Sequence, residues 1–193
     1  MLENININIF QALNAYAGQN SIVDCLAIIM AKYLPLLFIV WLLYLWFRGN
    51  KQRKNYALFA GYSAVIGLLI NFIIATFYFH PRPFMVDLGR LLIPHKPETS
   101  FPSDHTTFML SIAFMLSYFK ETRKSGLVLS VLGLLGGLAR VFSGLHFPLD
   151  IAGSFIVSLF ASTLVWFFKN KLSLVNAYII SLYSKITTKS AKC

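Results

Sequence analysis

Residues 22–47 read IVDCLAIIMAKYLPLLFIVWLLYLWF, an apolar run whose only charged residues are Asp24 and Lys32. About 20 helical residues cross the ~30 Å hydrocarbon core of a bilayer, so this run is long enough to span a membrane. Lipid offers the backbone no hydrogen-bond partner, and the run lacks the period-two alternation of a barrel strand. The stretch therefore predicts a transmembrane helix.

Four further apolar runs follow this one along the chain. They are Tyr56–Phe79, Ser103–Phe119, Ser125–Phe142 and Ile151–Phe168. The whole chain is 57% hydrophobic and only 12% charged, which is far from the composition of soluble proteins. We therefore expect an all-α integral membrane protein, a bundle of about five to six transmembrane helices in one membrane domain over residues 21–168.

The two ends of the chain differ from this domain. In residues 1–20, Ile5, Ile9 and Leu13 recur every four positions between polar residues, which predicts a short amphipathic helix at the outer interface. A sixth crossing there is the alternative. Residues 169–193 combine apolar residues with lysines, which predicts a basic amphipathic tail on anionic cytoplasmic lipid.

The placement of the basic residues decides what the formal net charge of +10 means. In a soluble protein such a charge would suggest nucleic acid. Here twelve basic residues follow the first, third and fifth runs, and alternate loops of a membrane bundle lie on one side. The positive-inside bias makes that side the cytoplasm, so the charge indicates orientation and no nucleic-acid partner is expected. The twelve are Arg48, Lys51, Arg53, Lys54, Lys120, Arg123, Lys124, Lys169, Lys171, Lys185, Lys189 and Lys192.

Three polar clusters fall on the opposite, outer side, where they can meet. They are Pro81-Arg82-Pro83, Pro102-Ser103-Asp104-His105, and the segment from Arg140 through His146 to Asp150. Charged groups close to a bilayer are costly, so such clusters are candidates for a functional site.

The side chains in these clusters suit a phosphoryl group. Arg82 and Arg140 can each offer paired donors to phosphate oxygens, and Ser103 as an N-cap would leave free N–H groups of the next helix at the same place. His146 and Asp150 are four positions apart, so the carboxylate can accept from one ring nitrogen and leave the other as a nucleophile. The chain offers no cluster with metal-ligand spacing, so we expect neither metal nor cofactor.

The order and spacing of the clusters resemble the signature of the type 2 phosphatidic acid phosphatase superfamily, over about residues 56–168. That signature is Lys, six residues and Arg-Pro, then Pro-Ser-Gly-His, then Ser-Arg, five residues, His, three residues and Asp. The resemblance implies a helical phosphatase core. It also implies that His146 attacks phosphorus to form a phosphohistidine, that Asp150 orients it and that His105 protonates the leaving group. The groups implied to hold the phosphate oxygens are Arg82, Arg140 and Ser103.

Within the superfamily, three segments resemble the bacitracin-resistance type of undecaprenyl pyrophosphate phosphatase. They are RPF at Arg82–Phe84, LIPH at Leu92–His95 and FPSDHTT at Phe101–Thr107. This resemblance implies a polyprenyl diphosphate lipid as substrate, which loses its terminal phosphate at the outer face of the bacterial cytoplasmic membrane. It further implies recycling of the cell-wall carrier lipid and resistance to bacitracin.

Three positions depart from the superfamily signature: Asp104 replaces Gly, Ala139 replaces Ser, and Ala75 replaces Lys. The third removes a phosphate-binding cation. Lys32 interrupts the first apolar run in the outer part of the span, and we take it as a hypothetical substitute, against the alternative that it snorkels to the headgroups.

Two other functions stay open at this point. The first is a broader lipid phosphatase that acts on phosphatidylglycerol phosphate or phosphatidic acid, since the core chemistry does not select a lipid tail. The second is a non-catalytic membrane subunit of a drug exporter. Two other histidines, His80 and His95, lie in the outer loop without such partners in the sequence, so no substrate contact is expected of them.

Overall fold

In a computed structural model of the protein, residues 1–190 are described, with side chains through residue 187, and every regular element in that part of the chain is helical. The predicted all-α bundle is therefore confirmed. Lys192 lies outside the described residues, as does the side chain of Lys189. The helices are α1 (Leu2–Asn14), α2 (Ser21–Arg48), α3 (Lys51–Phe77), α4 (Asp104–Ser117), α5 (Arg123–Phe142) and α6 (Pro148–Ser190).

Four of these helices are long and apolar enough to cross a membrane: α2, α3, α5 and α6, the last over residues 148–187. The protein is a multi-pass membrane protein. α4 has 14 residues and is shorter than the predicted run at 103–119. It lies at the centre of the bundle against α3, α5 and α6, and Leu110 and Ile112 are completely buried. Because protein surrounds α4, the chain at its ends can satisfy its backbone without remaining helical.

Asparagine caps begin the first two spans. Asn20 Oδ1 accepts from the N–H groups of Ile22 and Val23 at 2.9 and 3.2 Å, and Asn50 Oδ1 accepts from that of Arg53 at 2.9 Å. Asparagine is among the best N-caps because its side chain replaces a missing backbone acceptor. Only Gly49 and Asn50 separate α2 from α3, and such a short connection makes the two helices antiparallel neighbours.

Small residues let α5 approach its neighbours closely. A Cβ added at Gly133 would lie 2.9 Å from Leu110 Cδ2, and one added at Gly137 would lie 2.9 Å from Ile151 Cγ2. These separations are tighter than ordinary van der Waals contact, so larger residues would push α5 away from α4 and α6. Close approach of backbones is the usual role of such glycines in membrane helices.

The last predicted span and the predicted tail form one helix. α6 continues past Phe168 to Ser190, in a stretch with neither proline nor glycine after Gly153. Part of the tail packs against the bundle, because Asn176 is completely buried and accepts a hydrogen bond from Tyr62 of α3 at 2.7 Å. Contact of the tail with lipid stays a prediction.

The antiparallel packing gathers four helix ends at one side of the bundle. These are the C-terminal ends of α3 and α5 and the N-terminal ends of α4 and α6. Two loops complete this end, residues 78–103 and residues 143–147. The longer loop is rich in proline and therefore lacks α-helix. It contains a single 3-10 turn at Pro83–Val86. The three polar clusters of the sequence all lie here.

Candidate active site

His146 lies at the centre of this end of the bundle and is 1% exposed. Its Nε2 is 3.1 Å from Arg82 Nη1 and 3.3 Å from Arg140 Nη2, and its Nδ1 is 3.2 Å from Asp150 Oδ2. A guanidinium group has only donors, so the nitrogen that faces two of them must present a lone pair. The proton is therefore on Nδ1, where it is donated to Asp150.

Asp150 is in the first turn of α6, one turn beyond His146, as the spacing predicts. Its Oδ2 also accepts from the Phe147 N–H at 2.8 Å and from the Ser100 hydroxyl. These donors hold the carboxylate in one orientation, and the carboxylate in turn holds the His146 ring. The loop at residues 143–147 turns at Gly144, whose φ of +78° is in the left-handed region that favours glycine.

Burial keeps the His146 ring neutral. It lowers the pKa of His146 to about 3, an effect partly opposed by the hydrogen bond that His146 donates to Asp150 and reinforced by the charge of Arg140. The imidazole is therefore unprotonated at Nε2 at neutral pH. An unprotonated nitrogen is the form that can act as a nucleophile.

The two arginines reach the site from different elements and are 5% and 3% exposed. Arg82 also donates to the Leu145 carbonyl at 3.1 Å and to Glu98 Oε1 at 3.2 Å. Burial lowers the pKa of Arg82, and Glu98 raises it. Arg140 also donates to the Ala31 carbonyl of α2 at 2.9 Å. The Nε atoms of both arginines are buried and donate to no described residue.

His105 is half-buried in the first turn of α4 and forms no hydrogen bond with the described residues. Burial lowers the pKa of His105 to about 4, and the charges of Arg140, His95 and Arg82 lower it further. His95 Nδ1 lies 3.6 Å from Glu98 Oε1, the carboxylate that also accepts from Arg82.

Ser103 occupies the N-cap position of α4, as its sequence position predicts, but its side chain makes no capping hydrogen bond. Its hydroxyl instead accepts from Thr106 Oγ1 at 3.1 Å, and its backbone N–H donates to Ser154 of α6 at 2.9 Å. Close packing of α4 on α6 buries Ser103 completely and supplies Ser154, whereas Thr106 belongs to the first turn of α4 itself.

An open cleft of about 340 Å³ lies beside Arg82, between α3 and the long loop. Ala75 lines it, at the position where the superfamily signature has Lys, and so does Asp104. Asp104 Oδ1 accepts from Asn71 Nδ2 of α3 at 2.9 Å, which ties this carboxylate to α3. The other lining residues are Leu68, Asn71, Phe72, Glu98, Thr99 and Pro102.

Lys32 is not brought into the cluster by its described contacts. Its side chain is exposed, and its Nζ lies 5.2 Å from the ring of the adjacent Tyr33. The backbone beside it does reach the site, through the Ala31 carbonyl that accepts from Arg140.

Reasoning from the sequence missed two residues beside Asp150. Ser100 donates to Asp150 Oδ2, and its Oγ also lies 3.3 Å from His146 Nδ1. His80 Nδ1 lies 3.8 Å from Asp150 Oδ1. The one available signal was proximity in the chain, since Ser100 precedes Phe101-Pro102-Ser103 and His80 precedes Pro81-Arg82-Pro83.

It also missed the role of α1. Asn14 Nδ2 donates to the carbonyls of Arg90 and Phe142 at 2.9 and 2.7 Å, and its Oδ1 accepts from the Arg90 N–H at 2.6 Å. Asn6 Oδ1 accepts from the Leu149 N–H at 3.0 Å, next to Asp150. α1 therefore joins the long loop to the end of α5 and the start of α6. The apolar stripe of Ile5, Ile9 and Leu13 faces away from these contacts.

Among residues 1–190, no group of three or more His, Cys, Asp and Glu residues is arranged to hold a metal ion. Positive charge at the site comes from the two guanidinium groups that face His146.

The chain is similar in sequence to several known proteins. The family model of the PAP2 superfamily matches residues 56–174. The chain is 35% identical over 188 residues to undecaprenyl-diphosphatase BcrC of Bacillus subtilis (strain 168), across 97% of this chain and 96% of that protein. It is 27% identical over 184 residues to the bacitracin transport permease protein BcrC of Bacillus licheniformis, across 94% and 89%.

The fold has solved counterparts. The crystal structure of LpxE from Aquifex aeolicus superposes with a TM-score of 0.70 at 24% identity, and the match covers 84% of this chain and 94% of that one. The fold, the family model and the relatives agree with one another. The chain belongs to the PAP2 superfamily and is a multi-pass membrane phosphatase of that family.

Proposed function

We propose that this protein removes the terminal phosphate of undecaprenyl diphosphate through a phosphohistidine on His146. The observation that carries this proposal is the lone pair of His146 Nε2, which faces Arg82 Nη1 at 3.1 Å and Arg140 Nη2 at 3.3 Å. A phosphate group that enters here accepts from both guanidinium groups in place of Nε2. The nitrogen lone pair is then free to face phosphorus.

The first step transfers the phosphoryl group to the enzyme. Nε2 of His146 forms a bond to the terminal phosphorus while the bond from phosphorus to the bridging oxygen breaks. The negative charge of the bound diphosphate favours the protonated form of His105, which donates a proton to that oxygen, and undecaprenyl phosphate leaves. Asp150 stabilises the positive charge that the His146 ring gains, because it accepts the Nδ1 proton.

The second step regenerates the enzyme. Water attacks the phosphorus of the phosphohistidine, His105 takes a proton from that water, and inorganic phosphate leaves as Nε2 recovers its lone pair. In both steps Arg82, Arg140 and the region of Ser103 stabilise the charge on the phosphoryl oxygens. No metal is required for this route, because the arginines supply the positive charge.

The cleft beside Arg82 supports a lipid diphosphate as the substrate. Its lining combines the apolar Leu68 and Phe72 of α3 with the cationic Arg82. A lipid with an apolar tail and a charged headgroup matches this combination. The name of the Bacillus subtilis relative supports undecaprenyl diphosphate in particular.

The distribution of basic residues supports an active site at the outer face of the bacterial cytoplasmic membrane. Clusters of Lys and Arg lie at the end of the bundle opposite His146. They are at the adjoining ends of α2 and α3, and in the loop before α5 together with the first turn of α5. Hydrolysis at the outer face would return the cell-wall carrier lipid to use and reduce the lipid available to bacitracin. Resistance to bacitracin is the expected consequence.

The role of Lys32 as the missing phosphate-binding cation stays a prediction. If Lys32 turns toward bound substrate, Lys32→Ala should bind the diphosphate more weakly and show a higher KM. Unchanged kcat and KM would exclude this role.

The reaction is tested with purified protein and ³²P-labelled undecaprenyl diphosphate. We expect a rapidly formed, acid-labile label on His146 of the wild-type enzyme, no label on His146→Ala, and full activity in EDTA. Absence of the label from the wild-type enzyme during turnover would exclude the phosphohistidine.

Two competing functions are tested in the same system. Equal turnover of phosphatidylglycerol phosphate or phosphatidic acid would show a broader lipid phosphatase. The name of the Bacillus licheniformis relative favours a transport role. That role predicts that His146→Ala still protects cells from bacitracin, whereas we expect it to abolish protection.

A further inference from the structure

The carboxylate of Asp150 has one oxygen without a partner. Its Oδ2 accepts from the Phe147 N–H, the Ser100 hydroxyl and His146 Nδ1. Its Oδ1 accepts from no described residue, and it has no access to solvent because Asp150 is completely buried. A buried carboxylate oxygen without a donor is unfavourable, so a group that could donate to it is significant.

The nearest candidate donor is His80. Its Nδ1 lies 3.8 Å from Asp150 Oδ1, and this nitrogen is likewise buried without a hydrogen-bond partner. The two unpartnered atoms therefore face each other across a gap about 1 Å longer than an N–H···O hydrogen bond. Among the described residues, no other side chain forms an ion pair or a hydrogen bond with Asp150 Oδ1.

The surroundings of His80 confine its ring near this position. The ring stacks on Tyr78 with centroids 6.1 Å apart and meets the edge of Phe147 at 5.4 Å. Its Nε2 faces Glu3 Oε1 of α1 at 3.9 Å, and its backbone carbonyl accepts from the Ser100 N–H at 2.7 Å. A small movement of the ring or of α6 is enough to close the gap to Asp150.

We propose that His80 is a positioning residue for the reaction, which donates a hydrogen bond from Nδ1–H to Asp150 Oδ1 during turnover. The inference rests on the proposed function, because it matters only if Asp150 supports a nucleophilic His146. When the His146 ring becomes positive, Asp150 must stay ionised and in place. A donor on the second oxygen supports both conditions, and His80 does so without contact with the phosphate.

Two substitutions distinguish the nitrogens of His80. Asparagine places its amide nitrogen near the position of Nδ1, whereas glutamine places it near that of Nε2. We expect His80→Asn to retain kcat within about threefold, and His80→Gln and His80→Phe to lose roughly tenfold to a hundredfold in kcat, the effect of one hydrogen bond to a charged group. KM for undecaprenyl diphosphate is expected to stay within about twofold in all three.

The ranking of the variants decides the inference. A His80→Asn enzyme no better than His80→Phe would overturn it, whatever the size of the loss, and so would a loss confined to KM. Thermal unfolding of each detergent-solubilised variant shows whether it is folded. The phosphohistidine label on the wild-type enzyme tests the proposed function separately, so failure of the label and failure of the ranking are distinguishable.

Discussion

At the scale of single residues, the site depends on which nitrogen of His146 carries the proton. The two arginines require a lone pair on Nε2, and Asp150 requires a proton on Nδ1. Neither contact alone would fix the ring, because rotation of the imidazole by 180° exchanges the positions of its two nitrogens. Together they leave one tautomer and one orientation, which is the orientation that directs the nucleophile toward the phosphate site.

Asp150→Asn should break this arrangement. The amide can donate as well as accept, so the His146 proton can move to Nε2 and block the nucleophile. We expect kcat for undecaprenyl diphosphate to fall by about 10³ to 10⁴, as for the equivalent change in other His-Asp pairs. Ser154→Ala, one turn further along α6 and outside the His146 contacts, is the control and should retain kcat within about tenfold. A loss as large in the control would mean that general damage to α6 explains both results.

The buried neutral His146 also makes stability depend on pH. Its pKa is about 3 in the folded protein and about 6.5 when unfolded, so below pH 6.5 the unfolded chain binds a proton that the folded protein does not. Stability is therefore lost as pH falls from 6.5 toward 3. We expect Tm of the detergent-solubilised wild type to fall more between pH 7 and pH 5 than Tm of His146→Asn. Parallel shifts in the two proteins would contradict this assignment.

At the scale of elements, α1 acts as a strap across the site. It is amphipathic as its sequence predicts, but its polar residues Asn6 and Asn14 are the buried ones. Their side chains form hydrogen bonds with backbone groups of the long loop, of the C-terminal end of α5 and of the N-terminal end of α6. At helix ends these backbone groups lack partners within the helix. Phe10 packs between them against Phe147, with ring centroids 5.3 Å apart. The helix therefore ties together the segments that carry Arg82, Arg140 and His146.

Asn14→Ala should loosen this strap. The change removes three hydrogen bonds at a residue that is 3% exposed and leaves two carbonyls and an N–H without their partner. We expect a loss of about 1–3 kcal/mol in the free energy of unfolding and a lower kcat. Asn8→Ala, at an exposed position of the same helix, should change neither. Equal effects of the two substitutions in thermal unfolding and activity assays would contradict the role of Asn14.

At the scale of the whole molecule, the bundle has two chemically different ends. One carries the site and most of the acidic residues, and the other carries most of the basic residues. Both ends are joined by helices whose outer surfaces expose many large apolar side chains, including Leu36, Phe72 and Phe160. Such a surface suits contact with lipid, so the charge asymmetry becomes a prediction of orientation.

Cysteine labelling tests that orientation. In a background with Cys25→Ser and Cys193→Ser, a membrane-impermeant maleimide added to intact cells should label Gln19→Cys but not Lys124→Cys. Lys124→Cys should become labelled once the cells are permeabilised, which controls for its reactivity. The reverse pattern would place the active site on the cytoplasmic side.

The sequence by itself determined the membrane class, the helical fold and the cluster around His146. Hydrophobic length decides the first two because lipid leaves the backbone only internal hydrogen bonds. The His146–Asp150 pair was predictable because its spacing is local, at one helical turn. The tertiary structure alone decided that Ser100 and Leu145, 50 and 63 positions from their partners Asp150 and Arg82, belong to the site. It also decided that the Ser103 side chain makes no capping hydrogen bond, that α1 crosses the loops and that His80 faces Asp150. These contacts join segments distant in the chain, and they depend on how the helices pack, which local spacing does not specify.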